Sequence, residues 1–93
     1  MLTHSVLLDR LACRYIWWES VDWAYAHPDV FVSNVMNLGN WNDIVSLRQA
    51  VSDAVLKNVL QDAPAGYFHI RSWDYWHAKF GMRIRPLPER KLS

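Results

Sequence analysis

The sequence predicts an all-α protein: a compact bundle of about five short helices followed by an extended basic C-terminal arm. Three observations carry that reading. Apolar residues recur at spacings of three and four, small polar residues stand where helices would begin, and glycine or proline stands where they would end. The 93 residues make one domain's worth of material, and 52% hydrophobic with 20% charged residues is a folded composition rather than a disordered one. The six tryptophans can each bury roughly 150–250 Å², which enlarges a core that so short a chain would otherwise leave small.

The first helix is expected near residues 4–14, where Leu8, Leu11, Ala12 and Tyr15 share a face and Thr3 or Ser5 can accept the orphan amide protons of the first turn. Ser20 can cap a short turn through Trp23 and Ala26. That turn must stop near His27, because Pro28 disfavours an α conformation in the residue before it. Over residues 30–38 a broad stripe of Phe31, Val35 and Leu38, with Val32 and Met36 beside it, predicts a largely buried helix with Gly39 as a left-handed cap. Asn40 then caps a helix with Asp43 in its first turn and Trp41, Ile44, Leu47 and Val51 facing one way.

Ser52 or Asp53 caps the next helix, whose inward positions are Leu56, Val59, Leu60 and Ala63, until Pro64 and Gly66 end it. Ser72 opens the last. There Trp73, Trp76 and Phe80 share a face, Asp74 and Lys79 match the helix dipole at either end, and Gly81 stands just beyond. Residues 67–70 suit a short strand, but the sequence offers it no partner. A helical domain over residues 1–82 and an extended arm over residues 83–93 follow.

Charge is unevenly spread. Residues 79–93 hold five basic side chains (Lys79, Arg83, Arg85, Arg90, Lys91) and one acid, Glu89, whereas the preceding residues hold five basic and eight acidic ones. A basic arm on a mildly acidic body suits an acidic partner, nucleic acid or solubility alone. The lone cysteine, Cys13, has no partner for an intramolecular disulfide and reads as a small buried hydrophobe in a reducing compartment. No stretch approaches the roughly 18–20 apolar residues of a membrane span, and no basic flank precedes the short apolar run at the N-terminus, so no membrane association and a cytoplasmic location are expected.

The sequence offers little for catalysis, and no cofactor is expected. His4, His27, His69 and His77 lack the i, i+4 spacing of a helical zinc pair, and one cysteine makes no thiolate knuckle, which argues against a metal site. Asp74 and His77 are the nearest approach to an acid–base pair and read as a surface hydrogen-bonded pair. Gly39, Gly66 and Gly81 are too widely separated for a phosphate loop. No catalytic residues are assigned, and a non-enzyme is expected. Trp73 and Trp76, near Arg71, Lys79 and Arg83, could stack on bases, but their helical spacing places them in the core. The neighbours Trp17 and Trp18 cannot both point inward, so at least one is expected at the surface as a partner contact.

Beyond these local patterns, several stretches taken together resemble a known group. They are Ile16-Trp17-Trp18, Pro28-Asp29 before Phe31-Val32, the run Val35-Met36-Asn37-Leu38-Gly39-Asn40-Trp41-Asn42-Asp43-Ile44, then Leu47-Arg48, Val59-Leu60, and Arg71-Ser72-Trp73 with Trp76 and Gly81. Spread over roughly residues 10–88, this pattern resembles small bacterial proteins often encoded beside nucleotidyltransferase toxins of the abortive-infection type. The Met-Asn-Leu-Gly-Asn-Trp run is its most specific part. At Val51-Ser52-Asp53 the sequence departs from the glycine-bearing turn expected there. The resemblance implies an all-helical, antitoxin-like partner and transfers no catalytic residue.

Two functions are therefore expected in order. The first is a protein-interaction module that restrains or positions a nucleotidyltransferase-like toxin through Trp17 and Trp18 and through the arm. Arg83 and Arg85 would pair with metal-binding carboxylates in an acidic cleft, and Leu87 would dock in a shallow pocket. The second is a repressor-like nucleic-acid-binding protein, in which the helices at 29–39 and 41–51 act as a helix-turn-helix. Against it, the second helix has Arg48 as its only positive charge and carries Asp43 at the end that would meet DNA. An exposed aromatic patch would equally serve a homodimer.

Overall fold

A helix with buried residues on every side persists in water only when other elements enclose it. The computed structural model, which describes Leu2, residues 4–63 and residues 68–87, places such a helix at the centre. Among the described residues six helices run in the order α1 (Val6–Tyr15), α2 (Val21–Ala26), α3 (Pro28–Leu38), α4 (Trp41–Ala50), α5 (Asp53–Gln61) and α6 (Ile70–Lys79). In α3 six consecutive residues, Phe31 to Met36, are buried, and all five other helices pack against it. The fold is the expected all-α bundle. It has six helices rather than about five because the Ser20-capped turn is itself a helix.

Each helix start follows from its local chemistry. Ser5, Ser20, Asn40 and Ser52 hold extended backbone conformations, and their side chains accept the amide protons of Leu8, Trp23, Asp43 and Val55. Each such cap stabilises its helix by about 1 kcal/mol. Thr3, the alternative first cap, lies outside the described residues, as do Pro64 and Gly66. Helix α3 has no side-chain cap and starts instead with Pro28 in its first turn, where a missing N–H costs nothing.

Helix α6 begins at Ile70, two residues before the expected start, and His69 supplies no side-chain cap. The ends on either side of it are joined by tertiary contacts. The Asn37 side chain accepts the His69 N–H at 2.9 Å, and the Ser72 hydroxyl, inside the helix rather than capping it, donates to the Asn37 carbonyl at 3.2 Å. The region of the suggested strand turns directly into this helix: Phe68 and His69 have no regular structure, and Tyr67 lies outside the described residues. At the other end Gly81 has φ 64°, the Gly81 and Met82 amides donate back to the carbonyls of Ala78 and His77, and a glycine cap of the expected kind results.

Gly39 departs from expectation. Its φ of −65° and ψ of 141° are extended rather than left-handed. A side chain is excluded there by space: a Cβ would stand 2.5 Å from the Val35 carbonyl oxygen and 3.1 Å from Ile44 Cδ1. Cys13 is exposed, not a core hydrophobe, because the inward face of α1 is taken by Leu8, Leu11 and Ala12. Leu38 and Trp41 are also exposed, at 63% and 70%; they flank the turn between α3 and α4, beyond the reach of the enclosing helices.

The near part of the arm lies on the bundle. The Trp73 indole donates to the Arg85 carbonyl at 2.7 Å, while the Arg85 guanidinium donates to the carbonyls of Leu60 and Gln61 at 3.0 and 2.9 Å, finishing the C-terminus of α5. Leu87 is partly buried against the core. Residues 88–93, including Glu89, Arg90 and Lys91, lie outside the described residues. Among the described residues there is no strand, and no helix is long and apolar enough to cross a membrane.

Two tyrosines tie α1 to its neighbours. Tyr15 donates its phenol proton to Asp43 of α4, whose carboxylate also lies 3.4 Å from Arg14 Nε. Tyr25 of α2 donates to Asp9 at 2.8 Å. Burial, then the hydrogen bond and charge of Asp43, push the Tyr15 phenol above its ordinary 10.0. Burial raises Tyr25 as well, opposed by the Ser5 backbone and reinforced by Asp9. A phenol raised in the folded state contributes fully below its unfolded pKa, and that contribution is lost as pH rises through the folded value. Stability should thus decline above about pH 10, and Tyr15→Phe should flatten the decline; urea midpoints measured from about pH 8 upward would show an unaltered slope if the contact were immaterial.

Candidate functional site: an aromatic groove between α4 and α6

Helices α4 and α6 both lean on α3, and a groove opens between them. Its position is set by the turn from α3 to α4, where Gly39 brings the backbone close to Ile44 and Asn40 starts α4 at once. One hollow of about 330 Å³ reaches from Met36 and Asn37 to Arg71 and Ser72. A second, of about 580 Å³, continues along α4 past Val45 to Arg48 and Asp53. They share Trp41, Ile44 and Tyr75 and form one continuous surface. Met36, 3% exposed, and Trp76, 1% exposed, make the floor.

The floor is tied to both α3 and α6 and packed from below. The Trp76 indole donates to the Met36 carbonyl at 3.0 Å, satisfying one of the orphan acceptors at the end of α3, and its ring stacks on Phe80 at 5.6 Å between centroids. Above it, Tyr75 meets Trp76 edge to face at 5.3 Å and stays 47% exposed. Trp41 projects from the first turn of α4. An indole that open gives up apolar burial worth on the order of 2 kcal/mol, so the sequence retains surface that folding alone does not use.

The groove pairs an apolar middle with polar side chains towards its ends. Its polar side chains are Asn37, Arg71 and Ser72 at one end, Arg48, Gln49 and Asp53 at the other, and Tyr75 between them. Among the described residues no cluster of three His, Cys, Asp or Glu residues could hold a metal ion. The Asp74–His77 pair does not form at the surface. His77 is fully buried, and its Nδ1 lies 2.7 Å from the Trp73 carbonyl, to which only an Nδ1–H can donate; its buried Nε2 has no partner among the described residues.

The residues assigned from sequence fall elsewhere. Trp17 and Trp18 sit in the turn after α1, 75% and 50% exposed and edge to face at 5.7 Å. Arg83 is exposed. Arg85 is engaged with the end of α5 and lies over the Trp73 ring, its guanidinium carbon 5.5 Å from the centroid, so it serves the fold before any partner. Leu87 packs on the core. Sequence reasoning missed Trp41, Val45 and Tyr75. The signal for the first two was present: α4 carries more apolar residues than one buried stripe holds, Leu47 and Val51 facing the core and Trp41 with Val45 forming a second stripe one turn apart.

No protein family, curated protein or solved structure matches this chain.

Two substitutions separate the groove's surface from its frame. Trp41→Ala should change stability by no more than about 0.5 kcal/mol, as for other exposed positions. Gly39→Ala should cost about 1–3 kcal/mol, since the new methyl meets backbone that must shift. Urea denaturation of the two variants tests this directly, and a large loss on removing Trp41 would mean that the indole is structural.

Proposed function

We propose that this chain is a non-enzymatic protein-interaction module, an antitoxin-like partner of a nucleotidyltransferase-type toxin, and that it holds its partner chiefly through the α4–α6 groove. The observation that carries this reading is Trp41, 70% exposed beside Tyr75 and Val45 over a floor of buried side chains. Large aromatics over well-packed floors are the usual anchors of protein interfaces, since they bury much area while losing little side-chain entropy. The resemblance supplies the class of partner, and its most specific run supplies Met36, Asn37, Gly39 and Trp41 to the groove lining. Trp17 and Trp18 offer a second contact. Among the described residues of the arm, Arg83 is the cation left to meet an acidic cleft, because Arg85 is already engaged. A cytoplasmic location accords with this role.

The repressor-like alternative draws less support. The outer side of α4 presents Trp41 and Val45, and its one arginine, Arg48, is held 3.2 Å from Asp53. Asp43, at the end that would approach phosphates, is bound by Tyr15 and Arg14. A DNA-reading helix needs basic groups at those places.

Purifying the tagged protein from its native host, with nuclease and moderate salt, should recover a nucleotidyltransferase-type protein in near-equal amount, identified by mass spectrometry. Trp41→Ala should abolish that recovery. Recovering the chain alone, with nucleic acid present only when nuclease is omitted, would reject the interaction reading in favour of the repressor.

A further inference from the structure

The groove is apolar along its length and differs in charge at its two ends. At the far end of α4, Arg48 is neutralised by Asp53 at 3.2 Å. At the α6 end stands Arg71, exposed and with no carboxylate within ion-pair distance among the described residues. It lies in the first turn of α6, which contains no acid and which His69 leaves without a side-chain cap. The guanidinium and the positive end of the helix therefore act on the same side of the groove. From Trp41 to Arg48 the apolar wall extends over two turns of α4, about 10 Å.

We propose that the groove takes an amphipathic helical segment of a partner protein, about two turns long. Its apolar face covers Trp41, Ile44 and Tyr75, and one Asp or Glu beside that face pairs with Arg71. The inference rests on the interaction reading and narrows its partner. An apolar groove with uncompensated positive charge at one end selects an apolar segment with negative charge at the matching end, in the helix-in-groove manner. Nucleic acid fits less well, since a phosphate backbone is bound by several cations together, and among the described residues the groove offers one arginine outside an ion pair.

The test is selection from a phage-displayed library of amphipathic helical peptides, with the flanking positions randomised, against the full chain and its Arg71→Glu variant. The wild type should enrich Asp or Glu at one flank of an apolar i, i+3/i+4 pair. Arg71→Glu should enrich Lys or Arg at that same flank. Synthetic copies of the selected peptides should bind the Trp41→Ala protein at least tenfold more weakly, the loss typical of an interface anchor (about tenfold per 1.4 kcal/mol). Circular dichroism confirms that both variants fold. Identical peptides selected by both proteins, or peptide binding unaltered by Trp41→Ala, would overturn the proposal. So would a concentration-dependent dimer dissolved by Trp41→Ala, or a single-stranded oligonucleotide displacing the peptides. If no peptide is selected while a partner still co-elutes in a Trp41-dependent way, this inference fails and the interaction reading stands; if co-elution fails too, both fall.

Discussion

Enclosure of α3 is the constraint on which the rest of the structure depends. Six successive buried residues leave that helix no face for water, so five other helices must surround it, and a chain of this length can do that only with short elements. The helices have six to eleven residues, below the roughly 12–15 at which an isolated helix becomes stable in water. None would persist alone. Their stability comes from shared burial on α3, in which Leu8, Leu47, Leu56, Leu60, Trp73 and Trp76 are each removed from solvent almost completely.

Enclosure also fixes how helix ends are completed. The Met36 and Asn37 carbonyls at the end of α3 are met by Trp76 and Ser72 of α6, and those of Leu60 and Gln61 by Arg85 of the arm. The side chains that satisfy these groups thus decide where α6 and the arm sit. Two buried atoms remain unpaired by protein among the described residues, Ser33 Oγ on α3 and His77 Nε2 on α6. Each such group costs about 1–3 kcal/mol. Both belong to the central layer, where apolar neighbours leave little choice of partner.

The groove is a consequence of the same arrangement. Because α4 and α6 both pack on α3, the space between them is floored by the core and open to solvent, and the side chains along its edges cannot be buried by this chain. Trp41 and Tyr75 occupy those edges. The feature that best supports a binding function is therefore built from leftover faces of helices whose other faces hold the fold together.

The sequence by itself determined where most of the helices lie, though it read α2 as a turn and started α6 two residues late, because spacing and capping are local: Ser5, Ser20, Asn40 and Ser52 stand where the four side-chain caps form, and Gly81 takes the left-handed turn. That at least one of Trp17 and Trp18 is exposed was legible in the same way, since no helix hides two adjacent indoles on one face; the structure exposes both. Only the tertiary structure decided which apolar stripe of α4 faces inward, why Gly39 must lack a side chain, and that Arg85 turns back onto α5. Those outcomes depend on which helices meet. Periodicity gives a residue's position around its own axis, whereas burial depends on whether another helix lies in that direction, and contacts across dozens of residues leave no mark in local spacing.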